Sequence, residues 1–303
     1  MDIIAHALIT VQNKLPRLKF KIDEPMGNHT SFKIGGPVRA MYFPGNSAAL
    51  AELTAILTGC GVKPFVMGNG TNLLADDGAL DLIVVNTTGL SNIERCGETD
   101  LKADSGVLLS RLAQFACERG LSGLEFAHGI PGTLGGAVSM NAGAYDADMA
   151  DVVLSSTVLS AETGAFTITG AEHGFSYRFS RFSKNDEIIL SSVIRLSAGD
   201  SESIKSKMDE LGARRRESQP LDLPSAGSIF KRPKEGYTAE IVEQAGLKGY
   251  TVGGAQVSEK HSGFIVNRGG ATFADVMAVI EQIQETVLRQ FGVELELEVK
   301  IIS

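Results

Sequence analysis

His128-Gly129-Ile130-Pro131-Gly132-Thr133-Leu134-Gly135-Gly136-Ala137-Val138, continuing to Asn141-Ala142-Gly143-Ala144-Tyr145, is the stretch on which the reading of this chain turns. Glycine lets the backbone bend sharply and lets other groups approach it closely. Here it recurs among Ala, Thr and Asn, with few bulky side chains between. That combination suits a backbone wrapped around a diphosphate and a ring system, and a simple bend would not need so many bare positions. The whole chain has 34 glycines in 303 residues, above the usual frequency of about 7%.

Upstream, Met67-Gly68-Asn69-Gly70-Thr71-Asn72-Leu73-Leu74 follows the apolar run 64–67. Its glycines allow N–H groups to converge on an anion, and Thr71 and Asn72 add side-chain donors. On these residues alone a strand-ending turn is an equally good reading. The segment is not the dinucleotide fingerprint, because the third glycine and the following helix pattern are missing. Downstream, Gly227 in the segment 224–233 leaves room beside the Ser228 hydroxyl, while Lys231 and Arg232 could bind phosphate or carboxylate. No GxSxG elbow surrounds Ser228, so a hydrolase nucleophile is not supported. Locally, Arg178 reads as a surface charge and Glu298 as a solvated carboxylate. The histidines at 6, 29, 128, 173 and 261 show neither HxH nor HxxxH spacing, so no metal site is expected.

Around these segments the element pattern is mixed. Asn46 and Ser47 open a helix that ends near Gly59, 82–86 reads as a buried strand, and 108–119 as a helix capped by Gly120. The stretches 152–159, 165–169 and 187–197 read as strands and 201–216 as a helix. A further helix runs over 238–245 to Gly246. Thr272 and Asp275 form a capping box for a helix with Val276, Ile280, Ile283 and Val287 on one face, stopped at Gly292. The end alternates, with Val293, Leu295, Leu297, Val299 and Ile301 inward, which predicts a strand over 293–301. Strands and helices do not alternate in a long regular series, so the class is α+β. A border near 198–202 gives two domains, 1–200 (two subdomains, split near 80–90) and 201–303.

Hydrophobic residues are 43% and charged residues 21% of the chain, which is ordinary for a globular protein. The net charge of −8, with no dense run of Lys and Arg, argues against a nucleic-acid or anionic-membrane partner. The N-terminal residues do not read as a signal peptide, and no apolar run approaches membrane-spanning length. Cys60, Cys96 and Cys117 are far apart and form no CxxC pair, which points to a reducing compartment, the cytoplasm.

In their order along nearly the whole chain, the segments 28–36, 68–74, 129–145, 177–178, 226–233, 246–272 and 295–300 resemble the UDP-N-acetylenolpyruvoylglucosamine reductase family of peptidoglycan synthesis. The resemblance implies a two-part FAD-binding domain of the vanillyl-alcohol-oxidase type, then a C-terminal α+β substrate-binding domain. It implies that NADPH reduces FAD, and that reduced flavin converts UDP-N-acetylglucosamine enolpyruvate to UDP-N-acetylmuramate. Gly68, Asn69, Gly70, Thr71, Asn72 and Leu73 are the expected cofactor residues, with Gly129, Ile130, Pro131, Gly132, Thr133, Gly135, Gly136, Ala137, Asn141, Ala142 and Gly143. Arg178, matching the family's Tyr-Arg motif, is expected to bind the substrate carboxylate. Glu298, in the terminal Glu-Val-basic motif, would hold the enolic intermediate, and Ser228 would act as general acid. Tyr177, Lys231, Arg232, Lys248, Asn267 and Arg268 are the expected nucleotide-sugar contacts. Arg232 stands where many relatives have Asn, and Lys33 where Arg is common. The chain resembles the shorter type, without the extra substrate-domain insertion, and is expected to act as a monomer. Two other readings share some features: an alcohol or hydroxy-acid oxidase of the same fold, and a nucleotide-sugar binder without turnover.

Overall fold

Strand Ile188–Arg195 is apolar on both faces: Ile188 and Leu190 enter one core, Ile189 and Ile194 another. Alternate strand residues point to opposite sides, so a strand between two cores reads as a continuous apolar run. The computed structural model describes residues 2–303, which form two compact units. The first takes in the segment ending at Ile22, Arg39–Asn69 and Leu82–Ala213.

Its larger sheet has five antiparallel strands in the order Gly164–Thr169, Val153–Ser160, Ile188–Arg195, Asp100–Asp104, Ile93–Arg95. Helices Leu109–Cys117 and Leu134–Met140 share a core with it through Leu112, Leu134, Val138, Leu101 and Val158. A second sheet has the order Phe20–Pro25, Pro37–Tyr42, Leu80–Asn86, Phe65–Met67, the last two parallel. Helices Ile3–Lys14 and Ser47–Gly59 supply Val11, Leu50, Leu53 and Leu57 to its core, beside Tyr42, Ile83 and Val85. Each such aliphatic side chain contributes roughly 1.5–3 kcal/mol when fully buried. The N-terminal helix, capped by Asp2, is an addition to the expected elements.

The second unit comprises Asp23–Val38, Gly70–Asp81 and Arg214–Ser303. Helix Phe273–Phe291 opens with the expected Thr272–Asp275 capping box and closes on Gly292 at φ 68°. Val276, Ile280, Ile283 and Val287 pack on Val257 and Ile265 of a three-stranded sheet, and on Val242 of helix Thr238–Gln244. Phe32, Ile34 and Leu74 enter the same core. The units therefore divide the chain differently from the border expected near residue 200.

The terminal segment departs from expectation. Val293, Leu295 and Val299 are buried, but the only strand is Lys300–Ile302, paired in parallel with Leu73–Ala75, and Ile302 rather than Ile301 is buried there. Before it, the chain makes one isolated bridge, Leu297 to Phe230. Among the described residues no helix is long and apolar enough to cross a membrane.

Candidate functional site

The first unit brings two of the expected cofactor segments together. A Cβ on Gly68 would lie 2.0 Å from Thr133 Oγ1, and Asn69 Nδ2 donates to the Pro131 carbonyl at 2.9 Å. The segment 129–145 is less open than the sequence suggests, because residues 134–140 form a short helix. Leu134 N–H donates to Val107 O and Gly135 N–H to Ser105 O, both at 2.8 Å. A Cβ on Gly135 would meet Ser105 Cβ at 2.7 Å, so this glycine serves contact within the protein. The turn 129–132, Gly136 and Asn69 are not buried and remain accessible to a ligand. The Thr133 hydroxyl is buried without a protein partner, a donor suited to a phosphate oxygen. Bare backbone, an exposed amide and an orphaned hydroxyl at one place fit FAD.

Asn141, Ala142 and Gly143 have a different task. Asn141 ends the helix in the left-handed conformation, φ 47°, and is buried. Its Nδ2 donates to Asp148 Oδ2 at 2.9 Å and to Ser176 O at 3.1 Å, while its Oδ1 accepts from Ala150 N–H at 2.9 Å. The Gly143 carbonyl accepts from Arg178 Nη2 at 2.9 Å. These bonds pin the end of the glycine segment to the turn that carries Tyr177 and Arg178. Arg178 itself has φ 52°, and its guanidinium carbon stands 5.1 Å from the Tyr177 ring centre. A non-glycine residue in that conformation is held there by its surroundings.

The second unit brings Ser228 and Glu298 onto neighbouring backbones. Ser228 bridges to Phe264, Ile229 N–H donates to Gly263 O at 3.0 Å, and Glu298 N–H donates to Ile229 O at 2.8 Å. Asn72 Nδ2 donates to the Glu298 carbonyl at 3.0 Å, and Lys300 N–H to the Asn72 carbonyl at 3.0 Å. Ser31, which the sequence reading gave no role, fixes the other flank: its Oγ donates to Ser225 O at 2.6 Å. No local signal marks it beyond its place in the segment 28–36. Gly227 has φ 78° and open space around its Cβ position, so it is needed for conformation and not for room beside Ser228. The half-buried Ser228 hydroxyl has no hydrogen-bond partner among the described residues.

The expected nucleotide-sugar residues are occupied within the protein to different degrees. Lys231 is ion-paired with Glu296, and Arg232 lies over the Tyr237 ring at 3.8 Å. Lys248 pairs with Glu243 at 2.9 Å, and Arg268 Nη1 donates to Gln256 at 3.1 Å. Asn267 is buried: its amide donates to Phe32 O at 3.1 Å and accepts from Gly269 and Ala271 N–H groups. It braces the loop instead of offering a free group.

Residues 219–302 match the C-terminal domain of UDP-N-acetylenolpyruvoylglucosamine reductase, and residues 38–191 an FAD binding domain. The UDP-N-acetylenolpyruvoylglucosamine reductase of Caldanaerobacter subterraneus subsp. tengcongensis is 49% identical over 285 residues, 94% of each chain. The chain belongs to this family. The Agathobacter rectalis reductase is 45% identical over 97% of each chain. The crystal structure of the Thermus caldophilus reductase (MurB) superposes with a TM-score of 0.81 at 30% identity, over 95% of this chain and 99% of that one. Alkyldihydroxyacetonephosphate synthase, at 16% identity and a TM-score of 0.50 over 64% of this chain and 40% of that one, is a likeness of fold alone. The α+β class, with a flavin-binding domain of the vanillyl-alcohol-oxidase type before a C-terminal domain, is therefore borne out.

Proposed function

We propose that Arg178, Ser228 and Glu298 carry, in this chain, the NADPH-dependent reduction of UDP-N-acetylglucosamine enolpyruvate to UDP-N-acetylmuramate, a step of peptidoglycan precursor synthesis. The observation that carries the assignment is the hydrogen bond from Glu298 N–H to Ile229 O, which puts the acidic residue beside Ser228. Asn69, Thr133, Gly136 and the turn 129–132 would hold FAD. Bound FAD supplies the hydride, taken from NADPH, that adds to the terminal carbon of the enolpyruvyl double bond.

Addition there spreads negative charge into the substrate carboxylate. Arg178, always charged and able to make two parallel hydrogen bonds, holds that carboxylate and stabilises the charge as it grows. Ser228 Oγ–H delivers a proton to the carbon bearing the carboxylate, and solvent replaces the proton on Oγ. Glu298 sits beside the enolic intermediate and helps to hold it in place. Tyr177, Arg232, Lys248 and Arg268 meet the nucleotide sugar by rotating out of their present contacts. Three free cysteines fit a reducing compartment, so we place the protein in the cytoplasm, as a monomer.

The test is anaerobic. NADPH should bleach the flavin, and the enolpyruvyl nucleotide sugar should restore its colour with matching product. Ser228→Ala should leave bleaching intact and slow recolouring by about 10²–10⁴, roughly 3–5 kcal/mol at the transition state. Equal loss in both halves would reject the proton-donor role.

A further inference from the structure

His173 is fully buried at the foot of the loop that presents Tyr177 and Arg178. It ends the short turn Gly170–His173, which follows strand Gly164–Thr169. Its Nδ1 lies 3.1 Å from the Gly170 carbonyl oxygen, and its Nε2 lies 2.9 Å from Ser156 Oγ. Ser156 Oγ is in turn 2.7 Å from Ser192 Oγ. A carbonyl oxygen can only accept, so Nδ1 carries the hydrogen; burial disfavours a second proton on the ring, so Nε2 accepts from Ser156. Ser156 then accepts from Ser192, and every bond in the chain points the same way. The imidazole is neutral.

The ring also joins the two arms of the loop. It stacks on Phe175 of the outgoing arm, with centroids 4.8 Å apart and planes at 12°, and meets Phe182 of the returning arm edge-on at 6.4 Å. Between the arms, Ser176 and Phe179 exchange two backbone hydrogen bonds of 3.0 and 3.1 Å, leaving Tyr177 and Arg178 at the apex. Arg181 Nη1 donates to the Glu172 carbonyl at 3.2 Å and closes the base. The charged groups facing the ring are Glu172 and Arg181, the latter paired with Glu187, while the two strands contribute the hydroxyls of Ser156 and Ser192.

We propose that neutral His173 is a positioning residue: it fixes both arms of loop 174–182 and so sets where the Arg178 guanidinium meets the substrate carboxylate. This rests on the carboxylate-binding role given to Arg178 above. A proton on Nε2 would turn that nitrogen into a donor, reverse the serine chain and leave a donor unpaired in the core. Burial already holds the ring's pKa below its ordinary value of 6.5. Acidification into the folded pKa therefore loosens the loop, and the effect appears in substrate affinity.

His173→Gln keeps a donor and an acceptor that cannot titrate, and His173→Phe keeps an aromatic ring without either. In the holoenzyme, His173→Phe should raise KM for the enolpyruvyl nucleotide sugar by about tenfold to a hundredfold, as expected when a binding group is misplaced, with flavin bleaching by NADPH unchanged. His173→Gln should lie closer to wild type in KM and should lack the acid-side rise in KM expected of wild type as the buried ring takes up a proton below the ordinary histidine range. Equal slowing of both half-reactions by His173→Phe, an unchanged KM, or a wild-type acid-side rise in His173→Gln would overturn the inference. Arg178→Ala separates the two claims. If it leaves recolouring intact, the role of Arg178 falls; if it abolishes recolouring while His173→Phe has no effect on KM, only the role of His173 falls.

Discussion

At the level of single residues, the glycines of segments 68–74 and 129–145 do two jobs. Gly68, Gly135 and Gly143 have no room for a Cβ because Thr133, Ser105 and the Ala147 carbonyl stand against them. Gly68→Ala must push Gly68 and Thr133 apart. We expect a loss of roughly 1–3 kcal/mol in stability, the usual cost of overpacking, together with weaker FAD binding. Reconstitution of the apoprotein and a denaturant midpoint measure both, and an unchanged variant would refute the packing account. A position that must let a ligand approach and one that must let the protein approach itself call for the same missing side chain. The residues alone could not separate them. Asn141 and Asn267 raise the same ambiguity: each looks like a ligand contact in a glycine-rich stretch, and each spends its amide on backbone groups. Arg178, Ser228 and Glu298 carry no local mark at all, and only the order of motifs along the chain pointed to them.

At the level of elements, the helices were legible wherever their ends carried local chemistry: Asn46 caps one helix, and Thr272, Asp275 and Gly292 bound another. Pairing between distant strands leaves no such mark. The alternation over 293–301 correctly named Val293, Leu295 and Val299 as buried, yet a ladder forms only where Leu73–Ala75 is available as a partner. The hairpin 143–148 shows a local conflict. Tyr145 and Asp146 both take positive φ, 55° and 62°, in a two-residue turn that favours Asn-Gly. Tyr145 is tied down, its hydroxyl donating to Leu211 O at 2.9 Å, but Asp146 is exposed. Asp146→Gly should raise stability by about 0.5–1 kcal/mol, because the left-handed conformation costs more with a Cβ than glycine loses in chain entropy. A lower urea midpoint would sink this explanation.

At the level of the whole molecule, stability should fall with acid in two stages. Burial lowers the pKa of His173 and of His261 below 6.5. For such groups the unfolded chain binds protons first, so their contribution is full above about pH 6.5 and is lost as pH drops toward the folded values. The second stage comes from Asp100, whose carboxyl the Arg195 side chain holds below 3.8, and from Asp275, held low by the Thr272 and Gly254 N–H groups. Their contribution is present above about pH 4 and disappears below it. Chemical unfolding followed from pH 8 to 4 should show the first decline, and a flat profile between 6.5 and 5 would contradict it. The division into units is the least legible feature at this scale. A composition change near residue 200 is visible, but nothing local in 23–38 or 70–81 announces that these segments pack with residues far downstream.

That arrangement bears on how the protein is made. Phe32, Ile34 and Leu74 share a core whose other members run from Ala226 to Val299, so that core is complete only when the end of the chain has emerged from the ribosome. At about 5–20 residues per second of translation, the wait is on the order of tens of seconds. The first unit has its own cores and can close earlier, whereas the early parts of the second wait for residues 214–303 to complete their core. A nascent chain stalled short of its last strand therefore keeps apolar surface open to chaperones and proteases, and amounts to a partly folded intermediate instead of a smaller enzyme.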